Sequence, residues 1–214
     1  MVELLVVLVV SYLVGSIPVG LMVGKVVKGI DVRRYGSGKT GTANVLRTLG
    51  WGPSAVVFGG DLLKGILAVL LARWVLGNPT GEVGAALAAV AGHNWPLYVR
   101  FSGGRGVVAS MGALFVMMPV ATAIGLTAGL AVIALTRYIS LGSIIGSLLA
   151  LFLVVLFVAF RADPLPYLAY AVIAASLIVI QHRDNLLRLW KGTERKVGEK
   201  GNTRSPDGKE KPAS

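Results

Sequence analysis

The chain has 214 residues, 55% of them apolar and only 14% charged, with a formal net charge of +11 and a mean hydropathy of +0.74. A soluble domain of this size needs far more polar surface, so an integral membrane protein is the class that fits. There is no cysteine, which excludes disulfides, thiolate nucleophiles and cysteine metal sites. Net positive charge in a soluble chain would suggest nucleic acid. Here it sits in loops beside apolar runs, so anionic lipid or anionic substrates account for it and no nucleic-acid partner is expected.

Residues 4–24 form the first expected span; with Glu3 the only early charge there is no basic n-region, and the segment reads as an uncleaved span rather than a signal peptide. Residues 29–52 are the longest polar interruption. A second span covers 54–76, with Asp61 and Lys64 near its start, and a breaker-rich turn follows at 77–82. The third span is 83–99, then a second polar loop at 100–106. Residues 107–136 would make a helix of about 45 Å, too long for one ordinary span and short for two. Pro119 lies inside this stretch, where it ends or kinks a helix. The run at 141–160, a break at 161–166 and a last span at 167–180 complete the apolar part.

Charge decides the 107–136 stretch. With two short spans there, every Lys and Arg except Lys64, Arg73 and Arg161 falls on one side, as the positive-inside bias requires. The predicted fold is therefore all-α: a polytopic membrane protein of about seven transmembrane helices, N-terminus outside and C-terminus cytoplasmic. Residues 1–197 are expected to be one membrane-embedded domain. Residues 198–214, polar and basic, are expected to be a disordered tail. Gly125-x-x-x-Gly129 and Gly142-x-x-x-Gly146 suit close helix packing in lipid.

Four polar constellations carry the chemistry. In the first loop, Gly36-Ser37-Gly38-Lys39-Thr40-Gly41-Thr42-Ala43-Asn44 precedes Arg47. A nucleotide P-loop would need glycine where Arg33 stands, and would follow a buried strand. The looser reading is a backbone nest for phosphate built on Ser37, Gly38, Gly41 and Asn44, with Lys39 and Arg47 as cations. The bland alternative, a basic loop that only orients the protein, explains the charge but not the interleaved glycines and hydroxyls. Asp61 and Lys64, three apart on a helix, can pair; they and the intramembrane His93 suit supporting roles or simple packing. Gly103, Gly104 and Gly106 around Arg105 suggest a second nest. His182 and Asn185, three apart, share a helix face in the basic C-terminal segment, which could otherwise be a helix snorkelling to headgroups. All four fall on the same predicted face. They offer cations and hydroxyls but no evident base or nucleophile, so positioning and electrostatics would carry catalysis.

At these residues the chain resembles the bacterial integral-membrane glycerol-3-phosphate acyltransferases that use acyl phosphate. The family's first motif is similar to Gly36 through Arg47, and Asp61 to Gly65 resembles its Asp-x-x-Lys-Gly. Gly92-His93 through Gly106 and His182-Arg183-x-Asn185 with Gly192-x-Glu194 are similar to its later motifs. The likeness spans about residues 11–194. Lys39 replaces the usual Asn, Thr42-Ala43 reverses the usual order, and Arg105 replaces Lys. The resemblance implies acyl transfer from acyl phosphate to glycerol 3-phosphate, giving lysophosphatidate and phosphate, with no cofactor and no metal. It implies that Ser37, Arg47, Arg105, His182 and Asn185 line the site, in a bacterial inner membrane with the site facing the cytoplasm and membrane lipid around a monomer. The donor's own phosphate is expected to take the hydroxyl proton. The alternative is a transporter or flippase for an anionic lipid precursor, though transporters place their charges near the midplane. A thioester-type His-x-x-x-x-Asp is absent, since Tyr98 and Leu187 stand five after the two His.

Overall fold

The computed structural model describes residues 1–161 and 163–199, with the backbone of 203–204 and 210–211. Helix α1 (Val2–Ser16) and α2 (Val19–Lys28) are separated at Ile17-Pro18, where proline can give no helical N–H. The first apolar helix thus runs four residues past the expected Gly24 and is broken within. The 29–52 interruption is not all loop: α3 (Thr42–Leu49) lies in it, and α4 (Trp51–Leu76) begins before its end. Helix α5 (Pro79–Asn94) follows, with the Asn78 side chain accepting from Gly81 N at 2.9 Å. It stops at Asn94, short of the expected Val99, because Pro96 follows.

The 107–136 stretch divides at Met118-Pro119, as two helices were expected to: α6 (Val107–Met117) and α7 (Pro119–Thr136). Helices α8 (Ile139–Arg161), α9 (Leu165–Gln181) and the short α10 (Arg183–Trp190) complete the fold, with α10 bent 56° from α9. Val2–Lys28, α4, α7 and the Ile139–Phe160 part of α8 are each long and apolar enough to cross a membrane, and α9 with α10 makes a fifth such segment if taken as one. At 11 residues α6 is too short to do so alone. Most of the expected 198–214 disorder falls outside the described residues; within them Thr203–Arg204 pairs antiparallel with Glu210–Lys211.

Small residues let the helices touch backbone to backbone. A Cβ on Gly15 would lie 2.2 Å from Ala89 O, on Gly65 2.1 Å from Ala109 O, and on Gly125 2.7 Å from Gly146 O. These fix α1 on α5, α4 on α6, and α7 on α8, the last through the two small-residue motifs read from sequence. The main core joins Val69, Ala86, Ala113, Met117, Val154, Tyr170 and Ala174. One end of the bundle is tied by Arg73, whose Nε lies 2.8 Å from Glu82 Oε1 and whose Nη2 donates to Val116 O at 3.2 Å. Tyr167 donates to Glu82 Oε2 at 2.8 Å. The α4–α5 turn, the α6–α7 break and the start of α9 therefore meet there, and α4–α5, α6–α7 and α8–α9 return as hairpins to the other end.

Candidate active site

At that other end, Asn44 buckles the first loop. Its Nδ2 donates to Val32 O and Lys39 O, both at 2.8 Å, and its Oδ1 accepts from Ser37 N at 2.9 Å. Gly38 N goes to Tyr35 O at 3.0 Å, and Gly36 and Gly38 take the left-handed conformations that the bend requires, with φ of 51° and 72°. This corrects the nest reading. The Asn44 amide and the Ser37 and Gly38 amides are spent inside the protein, and Gly36 and Gly38 shape the loop without lining the cavity it borders. The parts of this stretch that do line the cavity include Ser37, Lys39 and the N-terminus of α3 with Gly41, Thr42 and Ala43. The first amides of a helix have no carbonyl within it to bond, which suits them to phosphate. Thr42 Oγ1 is buried without a partner, so the hydroxyl displaced by the Thr42-Ala43 order is available one residue earlier.

The second loop descends onto α5. Gly104 N donates to His93 O at 3.1 Å, and Thr40 N reaches Gly103 O at 3.5 Å, joining the two loops. A Cβ on Gly104 would lie 2.0 Å from His93 Nε2, and one on Gly103 2.1 Å from His93 O. These two glycines are therefore packing positions, not a nest, and neither lines the cavity; they bring Arg105 to its edge. Arg105 Nε donates to Gln181 O at 3.2 Å. Burial, reinforced by the Arg188 cation, lowers its pKa to about 10, still charged at neutral pH.

Beneath lies a buried ion network. Lys64 Nζ sits 2.8 Å from Asp61 Oδ1 and donates to Ile17 O at 3.3 Å, while His93 Nδ1 is 3.4 Å from the same carboxylate oxygen. The pairing expected of Asp61 and Lys64 is present. Asp61 and His93 border the cavity; Lys64 does not.

The C-terminal segment closes the ring. His182 caps α9 and opens α10. Its Nδ1 lies 2.8 Å from Ile178 O; a carbonyl only accepts, so Nδ1 carries the proton and Nε2 is left as an acceptor. Burial, then the Arg105 cation, lowers the imidazole to about 4, so it is neutral at pH 7. Asn185 donates to Glu194 Oε1 at 2.7 Å, and Glu194 also accepts from Ser140 and Arg188. Burial raises the Glu194 carboxyl, but these three donors outweigh it and hold it below the usual range. Arg47, on α3, donates through Nη2 to Arg195 O at 3.3 Å, and its buried Nε has no partner. Burial lowers its pKa as well.

Ser37, Lys39, Arg47, Arg105, His182 and Asn185 thus stand at the head of one cavity of about 660 Å³. Its body runs between α6, α7, α8 and α9, past Met111, Leu126, Leu130, Ala150 and Ala174. A polar head that gathers cations over an apolar shaft fits an amphiphile with an anionic end. Sequence reasoning did not identify Arg137, Ser140, Ser143 and Ser147 as cavity residues. Arg137 could have been found as the cation between two apolar runs on the basic side.

The profile of the glycerol-3-phosphate acyltransferase family matches residues 5–192. The chain is 48% identical over 193 residues to glycerol-3-phosphate acyltransferase 2 of Moorella thermoacetica, covering 90% of this chain and 97% of that one. It is 45% identical over 203 residues to a glycerol-3-phosphate acyltransferase of Thermus thermophilus, covering 92% and 96%. Its fold matches the crystal structure of PlsY (YgiH), an integral membrane glycerol 3-phosphate acyltransferase, in the glycerol 3-phosphate form, with a TM-score of 0.84 at 34% identity over 91% of this chain and 96% of that one. For the lysophosphatidic acid form of PlsY the TM-score is 0.81 at 33% identity, covering 90% and 94%.

Proposed function

The chain belongs to the glycerol-3-phosphate acyltransferase family, and from that premise we propose that it moves a fatty acyl group from acyl phosphate to the 1-hydroxyl of glycerol 3-phosphate. The products are lysophosphatidate and inorganic phosphate, the first acylation of phospholipid synthesis. The observation that carries this reading is the meeting of α3, the Arg105 loop and the His182–Glu194 segment over one apolar cavity. The acyl chain lies in the shaft. Ser37, Lys39, Arg47, Arg105 and the α3 N-terminus hold phosphate. His182 Nε2 and Asn185 Oδ1 each accept from a different one of the two glycerol 3-phosphate hydroxyls, and together they aim the 1-hydroxyl at the acyl carbon.

The glycerol oxygen bonds to that carbon, the acyl–oxygen bond to phosphate breaks, and the departing phosphate keeps both electrons of that bond. The proton ends on the released phosphate. A neutral imidazole of low basicity supports this route over a histidine base. The acyl group arrives activated, so no cofactor or metal is needed. Asp61, Lys64 and His93 support the Arg105 loop from below.

The membrane arrangement belongs to the same proposal. The helical columns α1–α2, α4, α5, α7, α8 and α9 make six passages, and the 11-residue α6, too short to cross alone, makes the seventh together with the Arg105 loop that leads into it, meeting α7 at the Met118 break. The N-terminus is outside and the site faces the cytoplasm of a bacterial inner membrane. The gathering of Lys39, Arg47, Arg105, Arg137 and Arg188 near one end supports this side. Residues 1–197 act as one membrane-embedded unit, a monomer in lipid, followed by the 198–214 tail. Purified protein in lipid, given glycerol 3-phosphate with either palmitoyl phosphate or palmitoyl thioester, is expected to form lysophosphatidate from the phosphate donor. Turnover with the thioester alone would reject the donor assignment.

A further inference from the structure

A second cavity of about 520 Å³ abuts the first, and the two share a wall that includes Arg47, Trp51 and Val197. Its other sides include Lys28, Tyr35, Thr48 and Glu199, and no residue of α6, α7 or α9 borders it. It therefore lies on the far side of α3 from the acyl shaft, at the basic end of the bundle. Its outer wall is the strand of chain after α10. Val197 N donates to Arg137 O at 2.8 Å, Arg137 Nη2 bonds back to Val197 O, and Arg47 Nη2 meets Arg195 O. Of these residues, Arg195 and Val197, like Glu199, lie beyond the 5–192 segment that matches the family profile.

The two cavities suit opposite chemistries. Taking a dianion through an apolar shaft would cost several kcal/mol in lost hydration, whereas a chamber with the Lys28 ammonium, the Tyr35 hydroxyl and the Arg47 guanidinium replaces that hydration. Glu199 opposes the anion, but its carboxylate already accepts from Lys196 N at 3.0 Å. Arg47 borders both cavities, and its buried Nε is unpartnered. One guanidinium can thus address an anion from either side.

We propose that this second cavity is a vestibule that admits the small water-soluble phosphomonoester, while the acyl donor uses the shaft, and that Arg47 in the shared wall receives the phosphomonoester. The proposal rests on the reading of the protein as a glycerol-3-phosphate acyltransferase. Thr48 and Lys28 border only the vestibule, so Thr48→Trp, which fills it, and Lys28→Glu, which reverses its outer charge, are the variants to make.

Both are expected to raise KM for glycerol 3-phosphate by about fivefold or more, with KM for acyl phosphate and kcat within about twofold of the parent. Unchanged KM for glycerol 3-phosphate in both variants, or an equal rise for both substrates, would overturn the vestibule. The chain has no cysteine, so Thr48→Cys supplies one thiol for an anionic water-soluble methanethiosulfonate. Glycerol 3-phosphate is expected to slow its modification and a non-hydrolysable acyl phosphonate to leave it unchanged; the reverse pattern would also overturn the proposal. This protection assay needs no turnover and decides the vestibule even if Thr48→Trp fails to fold. Absence of lysophosphatidate from the parent protein would instead reject the acyltransferase reading.

Discussion

The Asn185 amide donates to Glu194 Oε1 at 2.7 Å, and Asn185 Oδ1 is left buried with no partner. A carboxylate only accepts, so the NH₂ must face Glu194 and the carbonyl oxygen must face away from it. Glu194 thus sets which end of the Asn185 side chain is left without a partner. Asn185→Ala is expected to lower kcat by about 10²-fold. Glu194→Ala is expected to cost about 3 kcal/mol or more of stability, since Asn185, Ser140 and Arg188 lose a charged acceptor. Thermal unfolding beside initial rates separates the two effects; wild-type kcat in Asn185→Ala would remove Asn185 from the chemistry.

His182 gives a pH expectation. Its pKa near 4 lies below the ordinary 6.5. Between these values the unfolded chain binds a proton that the folded chain does not, so stability falls as pH drops through this window. Glu194, held below its usual range, contributes stability present above its unfolded pKa and lost as pH falls through its lower folded value. At pH 6–8 neither group titrates in the folded protein. The kcat/KM profile there is expected to keep its shape in His182→Gln while its level drops. An inflection near pH 6.5 that vanishes in His182→Gln would make His182 the base.

Arg105 stands where the resembling family has lysine. Its Nε bond to the Gln181 carbonyl fixes the fork, while the proposed reaction asks first for a positive charge at the cavity edge. Arg105→Lys is expected to stay within about tenfold of the parent kcat/KM and Arg105→Ala to lose about 10²-fold or more. Equal losses in the two variants, measured as initial rates, would show that the guanidinium fork rather than the charge matters.

At the opposite end, Glu82 is 5% exposed and bonded by Arg73 and Tyr167. Glu82→Ala leaves the Tyr167 hydroxyl without its acceptor and Arg73, half exposed, with Val116 O. It is expected to destabilise the protein by about 1–3 kcal/mol, with kcat preserved below the unfolding transition. A selective loss of kcat would tie this end to the site.

The apolar runs, the Pro119 break, the α7–α8 glycines and the converging motifs were legible because spacing and hydropathy record them directly. The Asp61–Lys64 pair was legible because i, i+3 neighbours on a helix lie side by side. The uses of Asn44, Gly103 and Gly104 were not. Whether an amide faces a ligand or its own loop depends on where Val32 and Lys39 fold, and whether a glycine cradles phosphate or clears a histidine depends on His93, ten and eleven residues away. Arg137 and the serines of α8 enter the cavity only because the α7–α8 hairpin leans over the shaft, a tertiary fact without a local motif.

The central claim is that separated polar segments share one membrane face. Single cysteines at the exposed positions Arg34, Arg100 and Arg183, and at Asn78 on the opposite end, can be labelled with an impermeant maleimide in sealed vesicles of known sidedness. The first three are expected to react only from the cytoplasmic side and Asn78→Cys only from the other. Reaction of Arg183→Cys and Arg34→Cys from opposite sides would contradict the shared site.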